Sequence, residues 1–403
     1  MPPPGRLSSI ALTIVAVAVE LQAQRHRAAP STSDRFCDFG TNVAGVSVPA
    51  ELCLRKFADV PTPRVLLFAP NGDLFVASPK RRTPGAAPPG AGAIFLFREG
   101  DLGTPPARIT FAEGDAYQAV HGILIANGFF YYTVAEAVYR VPYAVGATAI
   151  SPSTPAMVAS FMPQSANIYF RFTHSLAAAN DGSLYVSSGQ MDNNTCPVED
   201  VRLGSVLRIG SGHDLRGDIV INGLRNPLYI RCMPWNSCYA AELSGDPWEA
   251  VGGTEKLIEL RDGDNFGYPC CVQRGIPNPD IQPMPNCAAV SVPQRTFKLH
   301  DTPFGFDWER DFGWPDLYTG AFFVGLHGSF GEWINAGLRW APTDPTTHLP
   351  THGLIDFVTA GKGQTISRVA DVRFAPDGRL FFTDDEGGAI YWIAPRSLHR
   401  PRR

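Results

Sequence analysis

The chain has 403 residues and a formal net charge of −4, from 34 Lys and Arg against 38 Asp and Glu. That balance offers no global basic field, so no nucleic-acid partner is expected. Its 39 Gly, 36 Pro and 11% aromatic residues suit many tight turns between short aromatic-rich strands.

The N-terminus reads as a targeting segment. Arg6 gives a short positive region, residues 10–19 form an apolar run, and Leu21-Gln22-Ala23-Gln24 places a small residue near a cleavage point. That is the layout of a secretory signal peptide over residues 1–24. The run is short for a membrane span, and no later stretch is long and apolar enough for one. A secreted or periplasmic protein without a membrane span is expected.

Residues 25–56 then form an N-terminal arm. Eight cysteines, an even count, suggest disulfides in an exported chain. Cys37 with Cys53 would tie down the arm, and Cys232 with Cys238 would close a small loop around Pro234. Cys270, Cys271 and Cys287 surround a Pro-rich insertion, and Cys196 is expected to pair with one of them. The spacing does not fix which. No Cys-x-x-Cys pair accompanies them, which argues against zinc.

An internal repeat runs through the rest. Pro70-Asn71-Gly72-Asp73-Leu74-Phe75 recurs as Asn180-Asp181-Gly182-Ser183-Leu184-Tyr185 and as Pro376-Asp377-Gly378-Arg379-Leu380-Phe381, with a looser copy at Asn127-Gly128. Asn-Gly and Asp-Gly tolerate the positive φ of a type I′ hairpin turn. Each copy therefore predicts a hairpin tip between two strands. A third strand follows each tip, as in Ala93-Ile94-Phe95-Leu96-Phe97 and Ala389-Ile390-Tyr391-Trp392-Ile393. The tips at Gly72, Gly128, Gly182 and Asn236 recur every 54 to 56 residues. Further tips are expected near Asp316 and at Gly378, with an insertion over residues 264–300 between. No segment shows a sustained helical period. Six units of three or four strands predict an all-β, six-bladed β-propeller over residues 57–395 with a short N-terminal arm. Residues 78–92 read as an exposed Pro/Gly/basic loop and residues 396–403 as a basic tail.

Five words in this repeat carry a family resemblance. They are Ala137-Val138-Tyr139-Arg140-Val141-Pro142-Tyr143, Gly223-Leu224-Arg225-Asn226-Pro227, the run from Arg261 through Asn265-Phe266-Gly267-Tyr268-Pro269 to Cys271, Leu326-His327-Gly328-Ser329, and Asp371-Val372-Arg373-Phe374-Ala375-Pro376-Asp377-Gly378. In this order they resemble the glucose/sorbosone dehydrogenase family, especially its sorbosone and pyranose dehydrogenase branch, over residues 57–393. The resemblance implies pyrroloquinoline quinone (PQQ) and calcium at the top of the propeller, a sugar substrate and an external electron acceptor. It assigns cofactor contacts to Arg225, Asn226, His327 and Arg368. A guanidinium fork matches a carboxylate in one plane, which suits that role. Calcium in the family is held largely by backbone carbonyls, and the resemblance places these at Ser244 and Gly245.

Oxidation of a sugar needs a general base near neutral pKa, and the family uses a histidine before the third blade's tip. At that distance this chain has Arg171, which stays protonated and is a poor base. His174 stands three residues later. Either a bulge brings His174 into the site, or the base is lost and the top face binds a carbohydrate or protein ligand without turnover. His121-Gly122 matches a His-Gly pair of the sorbosone branch, as a funnel lining or a structural histidine at a strand start. A calcium-dependent lactonase or phytase would need axial carboxylates; the one tight acidic run, Asp384-Asp385-Glu386, reads as a solvated turn.

Overall fold

The computed structural model describes residues 33–80, 92–100, 104–160, 173–190, 195–198, 200–210, 218–329 and 331–396. Arg171, the signal segment and the end of the basic tail lie outside the described residues.

The hairpin tips set the architecture. At Gly72 the backbone N–H donates to the Ala69 carbonyl (2.9 Å), and Ala69 N–H donates to Asp73 (2.8 Å). The same pair of bonds recurs around Gly182, Gly378 and Asn236. In each turn the third loop residue has positive φ, from +66° at Asn236 to +91° at Gly378. This is the three-residue turn closed by a left-handed residue rather than a type I′ turn. Only Asn127-Gly128, with φ of +51° and +77°, is the two-residue form expected for all of these tips. Asn236 thus takes a glycine's place. Asn236→Ala is expected to cost about 1 kcal/mol, the penalty of a Cβ in the left-handed region. Asn236→Gly should stay within about 0.5 kcal/mol of wild type in urea unfolding, since Asn and Gly both suit that region.

Each tip joins two strands of an antiparallel meander, and six such blades are present, four of them four-stranded and two, the third and the sixth, extended to five strands. The first blade is Val65–Phe68, Leu74–Ser78, Gly92–Arg98 and Ala107–Gly114. The second runs from Ile123–Ala126 to Ala156–Ser160, and the third from Leu176–Ala178 to Ile219–Asn222. The fourth comprises Asn226–Cys232, Cys238–Leu243, Thr254–Glu259 and Arg295–Lys298, so the end of the expected insertion supplies a regular outer strand. The fifth runs from Pro303–Trp308 to Ile355–Thr359. The sixth contains Val369–Phe374, Leu380–Asp384 and Ala389–Pro395 and is completed from the other end of the chain. Leu52–Asp59 pairs antiparallel with Ala389–Pro395. Its first residues, read as part of the arm, therefore close the ring.

The first strand of every blade is innermost. Second strands are buried on both faces, as in Leu74–Ser78, Phe322–Leu326 and Leu380–Asp384. Aromatic side chains fill the wedges between blades. Phe75 meets Phe130 at 5.2 Å, Tyr239 meets Trp308 at 4.9 Å, Phe323 meets Phe374 at 5.6 Å and Phe68 meets Phe381 at 5.3 Å. Offset and edge-on pairs of this kind add to the area they bury. All eight cysteines are paired: Cys37–Cys53, Cys232–Cys238, Cys196–Cys270 and Cys271–Cys287. Four disulfides belong to an oxidising compartment. Among the described residues no helix is long and apolar enough to cross a membrane.

Candidate functional site

An antiparallel meander brings the start of its first strand and the end of its second strand to the same edge. Around the propeller this gathers Arg64, His121, His174, Arg225 and Arg368 with Ala135, Gln190, Ser244, His327 and Asp385 at one end of the axis. Side-chain bonds join them into two groups.

The first group spans blades one, five and six. Asp385 accepts from Arg64 Nε (2.8 Å) and lies 3.1 Å from His327 Nε2. The His327 ring stacks on Phe304 at 3.9 Å, and the Arg64 guanidinium sits 5.3 Å from the centre of the same ring. Arg368 Nε donates to the His327 carbonyl (2.9 Å). Asp384 accepts from the backbone N–H groups of Ser367, Arg368 and Gly387 at 2.7 to 2.9 Å, which fixes the turn presenting Arg368. The acidic run is therefore not a solvated turn: Asp384 and Asp385 are buried and fully engaged. Burial works against the Asp385 charge, but Arg64, His327 and Arg368 overcome it and hold the carboxyl well below the usual range. Burial, with Arg368 adding to it, pushes the His327 imidazole down to about 3.

The second group spans blades three and four. Arg225 N–H donates to Glu242 Oε1 (3.0 Å), and its Nη1 donates to the Ser244 carbonyl (2.9 Å). Lys256 Nζ donates to Glu242 Oε2 (2.8 Å) and to Ser244 Oγ (3.1 Å). Asn226 Oδ1 accepts from Thr173 Oγ1 (3.0 Å), and the Arg225 carbonyl accepts from Gln190 N–H (2.6 Å). The amide NH2 is then the part of Asn226 suited to donate to a ligand.

Two further imidazoles lie beneath this face. His174 is fully buried, with Nδ1 2.8 Å from the Ser187 carbonyl and Nε2 3.2 Å from the Ala135 carbonyl. It clasps the second blade to the third, and burial lowers it to about 4. A base needs a lone pair aimed at substrate, and both His174 nitrogens face protein carbonyls. His121 is also fully buried, edge-on to Tyr229 at 5.3 Å, and among the described residues neither ring nitrogen lies in hydrogen-bond geometry with a partner. Burial, then Arg64 and His174, lower it to about 3.

The structure thus brings Arg225, Asn226, Ser244, His327, Arg368, His121 and His174 to one end of the axis. Gly245 serves packing: a Cβ there would come within 2.9 Å of the Trp248 ring. The Ser244 carbonyl, expected to hold calcium, receives a guanidinium instead. A cation bound there would sit against a positive charge, so calcium does not fit this carbonyl in this arrangement. Among the described residues no group of three or more His, Cys, Asp or Glu side chains is placed to hold a metal. Arg64, Asp385, Glu242 and Lys256 escaped the sequence reading. Arg64 was detectable in principle, because it stands just before an inner strand, as Arg225 and Arg368 do.

The fold and site define a six-bladed β-propeller with an arginine-bearing axial face. Solved structures share this architecture. A Trichoderma reesei enzyme of carbohydrate-active family AA12 superposes with a TM-score of 0.71 at 17% identity, covering 89% of this chain and 99% of its own. The holo form of the pyranose dehydrogenase PQQ domain from Coprinopsis cinerea gives 0.68 at 15% identity, covering 88% and 100%. The PQQ-bound aldose sugar dehydrogenase from Streptomyces coelicolor gives 0.54 at 17% identity, covering 86% and 99%. No protein-family model and no curated protein matches the sequence. The fold is thus that of the PQQ sugar dehydrogenase propellers.

Proposed function

We propose that this chain is a secreted sugar oxidoreductase that binds PQQ at the arginine-bearing end of its axis and passes electrons to an external acceptor. The observation that carries this reading is the gathering of Arg225, Arg368 and Asn226 at one end of the axis, guanidiniums and an amide suited to carboxylates, with Arg64 paired to Asp385 at the same end. PQQ, when bound, would supply two-electron acceptor chemistry. Arg225 and Arg368 would hold its carboxylates, and the Asn226 amide would donate beside them. Glu242 accepts from the Arg225 backbone N–H and is itself held by Lys256, so this part of the cradle is built before a ligand arrives.

Arg225→Met is expected to weaken PQQ binding about 10- to 100-fold, as loss of charge-assisted bonds to one carboxylate would do. An absorbance titration of the quinone into the full chain measures this. Absence of binding by the wild-type protein at micromolar concentration overturns the reading.

One observation favours a second reading, a catalytically silent propeller that binds a carbohydrate or protein on this face. The axial imidazoles His121, His174 and His327 are all buried, and the ring nitrogens of His174 and Nε2 of His327 are committed to protein groups. The pair is separated by Arg171→His. If that variant gains dye-linked sugar oxidation that wild type lacks, PQQ is held and the missing base alone silences the site.

A further inference from the structure

Trp333 stands in a conformation that bulky side chains rarely adopt, with φ at +54°. Gly328 (+74°) and Asn335 (+67°) flank it in the same turn. The turn is firmly held. Trp333 N–H donates to the Ser329 carbonyl (3.0 Å), Ala336 N–H donates to the Trp333 carbonyl (3.1 Å), and Asn335 Nδ2 donates to Asp301 (3.0 Å). A Cβ at Gly328 would meet the Ile334 and Trp333 carbonyls at 2.8 and 2.9 Å, so only glycine lets the turn close this tightly. The product of this strain is not core packing. The indole remains half-buried, and its neighbour Ile334 is 61% exposed. The Arg368 guanidinium, fixed by the His327 carbonyl, lies 5.8 Å from the centre of the indole.

Strain kept at a site rim, without burial to offset it, points to function. We propose that Trp333 is the stacking platform for the apolar face of a neutral pyranose, set next to the cofactor contact Arg368. This deepens the sugar-oxidising reading and rests on it for the identity of the site. Trp333 is here a specificity residue, distinct from the cofactor contacts.

The test uses the full chain without cofactor, D-glucose as probe, and saturation-transfer NMR to measure affinity, with a parallel PQQ absorbance titration. Trp333→Ala is expected to weaken glucose binding about 3- to 10-fold, the range for loss of one aromatic stacking partner. PQQ affinity should stay within about 2-fold, as expected for a residue that makes no charge-assisted bond to the cofactor. Trp333→Phe should restore most of the sugar affinity. Trp333→Asn, which suits the left-handed backbone and carries no ring, should match Ala and guards against misfolding of the Ala variant. Equal glucose binding by wild type and the ring-less variants overturns the platform. So does a loss of PQQ affinity as large as the loss of glucose affinity, or absence of glucose binding by wild type. If wild type binds glucose but not PQQ, the cofactor reading alone fails, and the Trp333 comparison still decides the platform.

Discussion

Asp371→Ala is expected to lower the folding stability by about 3 to 5 kcal/mol, the cost of stranding one partner of a buried ion pair. Asp371 is wholly buried on the innermost strand of the sixth blade. One of its oxygens accepts from Arg231 of the fourth blade and the other from Leu66 N–H of the first (2.8 Å). Arg231 also donates to the Phe306 carbonyl of the fifth blade (2.8 Å). This pair therefore ties four of the six blades together across the axis. Burial alone pushes the Asp371 carboxyl up, while Arg231 opposes that and is itself held protonated by Asp371 and Asp307. Alanine leaves a buried guanidinium without its hydrogen-bonded carboxylate and an inner-strand N–H without its acceptor. Urea unfolding followed by near-UV circular dichroism measures the loss. The double variant Arg231→Met/Asp371→Leu should recover most of it, since removing both charges removes the unpaired one. If Asp371→Ala costs less than about 1 kcal/mol, solvent reaches the axis and the pair is not a dry clasp.

This clasp shows where the sequence is legible and where it is not. Turns between short strands depend on local chemistry, so Gly72, Gly128, Gly182, Asn236 and Gly378 marked the blades. The regular spacing then gave the ring. The fine form of the turn was less legible, because Asn-Gly serves both the two-residue and three-residue loops, and the choice lies in strand register. Closure was also hidden. Nothing local in Leu52–Asp59 announces that its partner is Ala389–Pro395 at the opposite end of the chain. Long-range charge pairing had the same difficulty, since Arg231 and Asp371 are 140 residues apart.

For the site, position at an inner-strand end is legible from residue type and repeat register, whereas contacts defined by distant partners are not. Arg225, Asn226, His327 and Arg368 all stand at one end of the axis, in two separately bonded groups. Asp385 looked like surface because Asp384-Asp385-Glu386 is a dense acidic run, and such runs are usually solvated. Arg64 and His327 draw it inward instead. His174 and His121 are at the right end of the axis, but their exposure could not be read from the chain. Both His174 ring nitrogens face backbone carbonyls, of Ser187 and Ala135, which belong to different blades.

Buried neutral imidazoles make acid sensitivity the sharpest test of this interior. His121 and His327 are lowered to about 3 and His174 to about 4, burial being the first cause in each. In the unfolded chain each takes up its proton near pH 6.5. Between that pH and the folded values the unfolded state binds more protons, so stability is complete above about pH 6.5 and falls as the solution is acidified. Three such groups give a slope of up to about 4 kcal/mol per pH unit. Glu255, Asp301, Glu309, Asp371 and Asp384 are all pushed up by burial and act in the opposite direction, offsetting part of this slope. His121 isolates the effect best, because among the described residues neither of its ring nitrogens has a side-chain partner that a substitution would strand. His121→Phe keeps an aromatic ring against Tyr229 and cannot take up a proton. Relative to wild type it should gain about 2 kcal/mol on going from pH 7.5 to pH 5, the worth of the removed titration over that interval. Urea midpoints of the two proteins at the two pH values measure it, and ring-proton NMR gives an independent check. The His121, His174 and His327 resonances should not move between pH 8 and pH 5. Movement of the His121 resonance with a midpoint near 6.5 would mean that water reaches the axial shaft and that the imidazole there is available to a ligand.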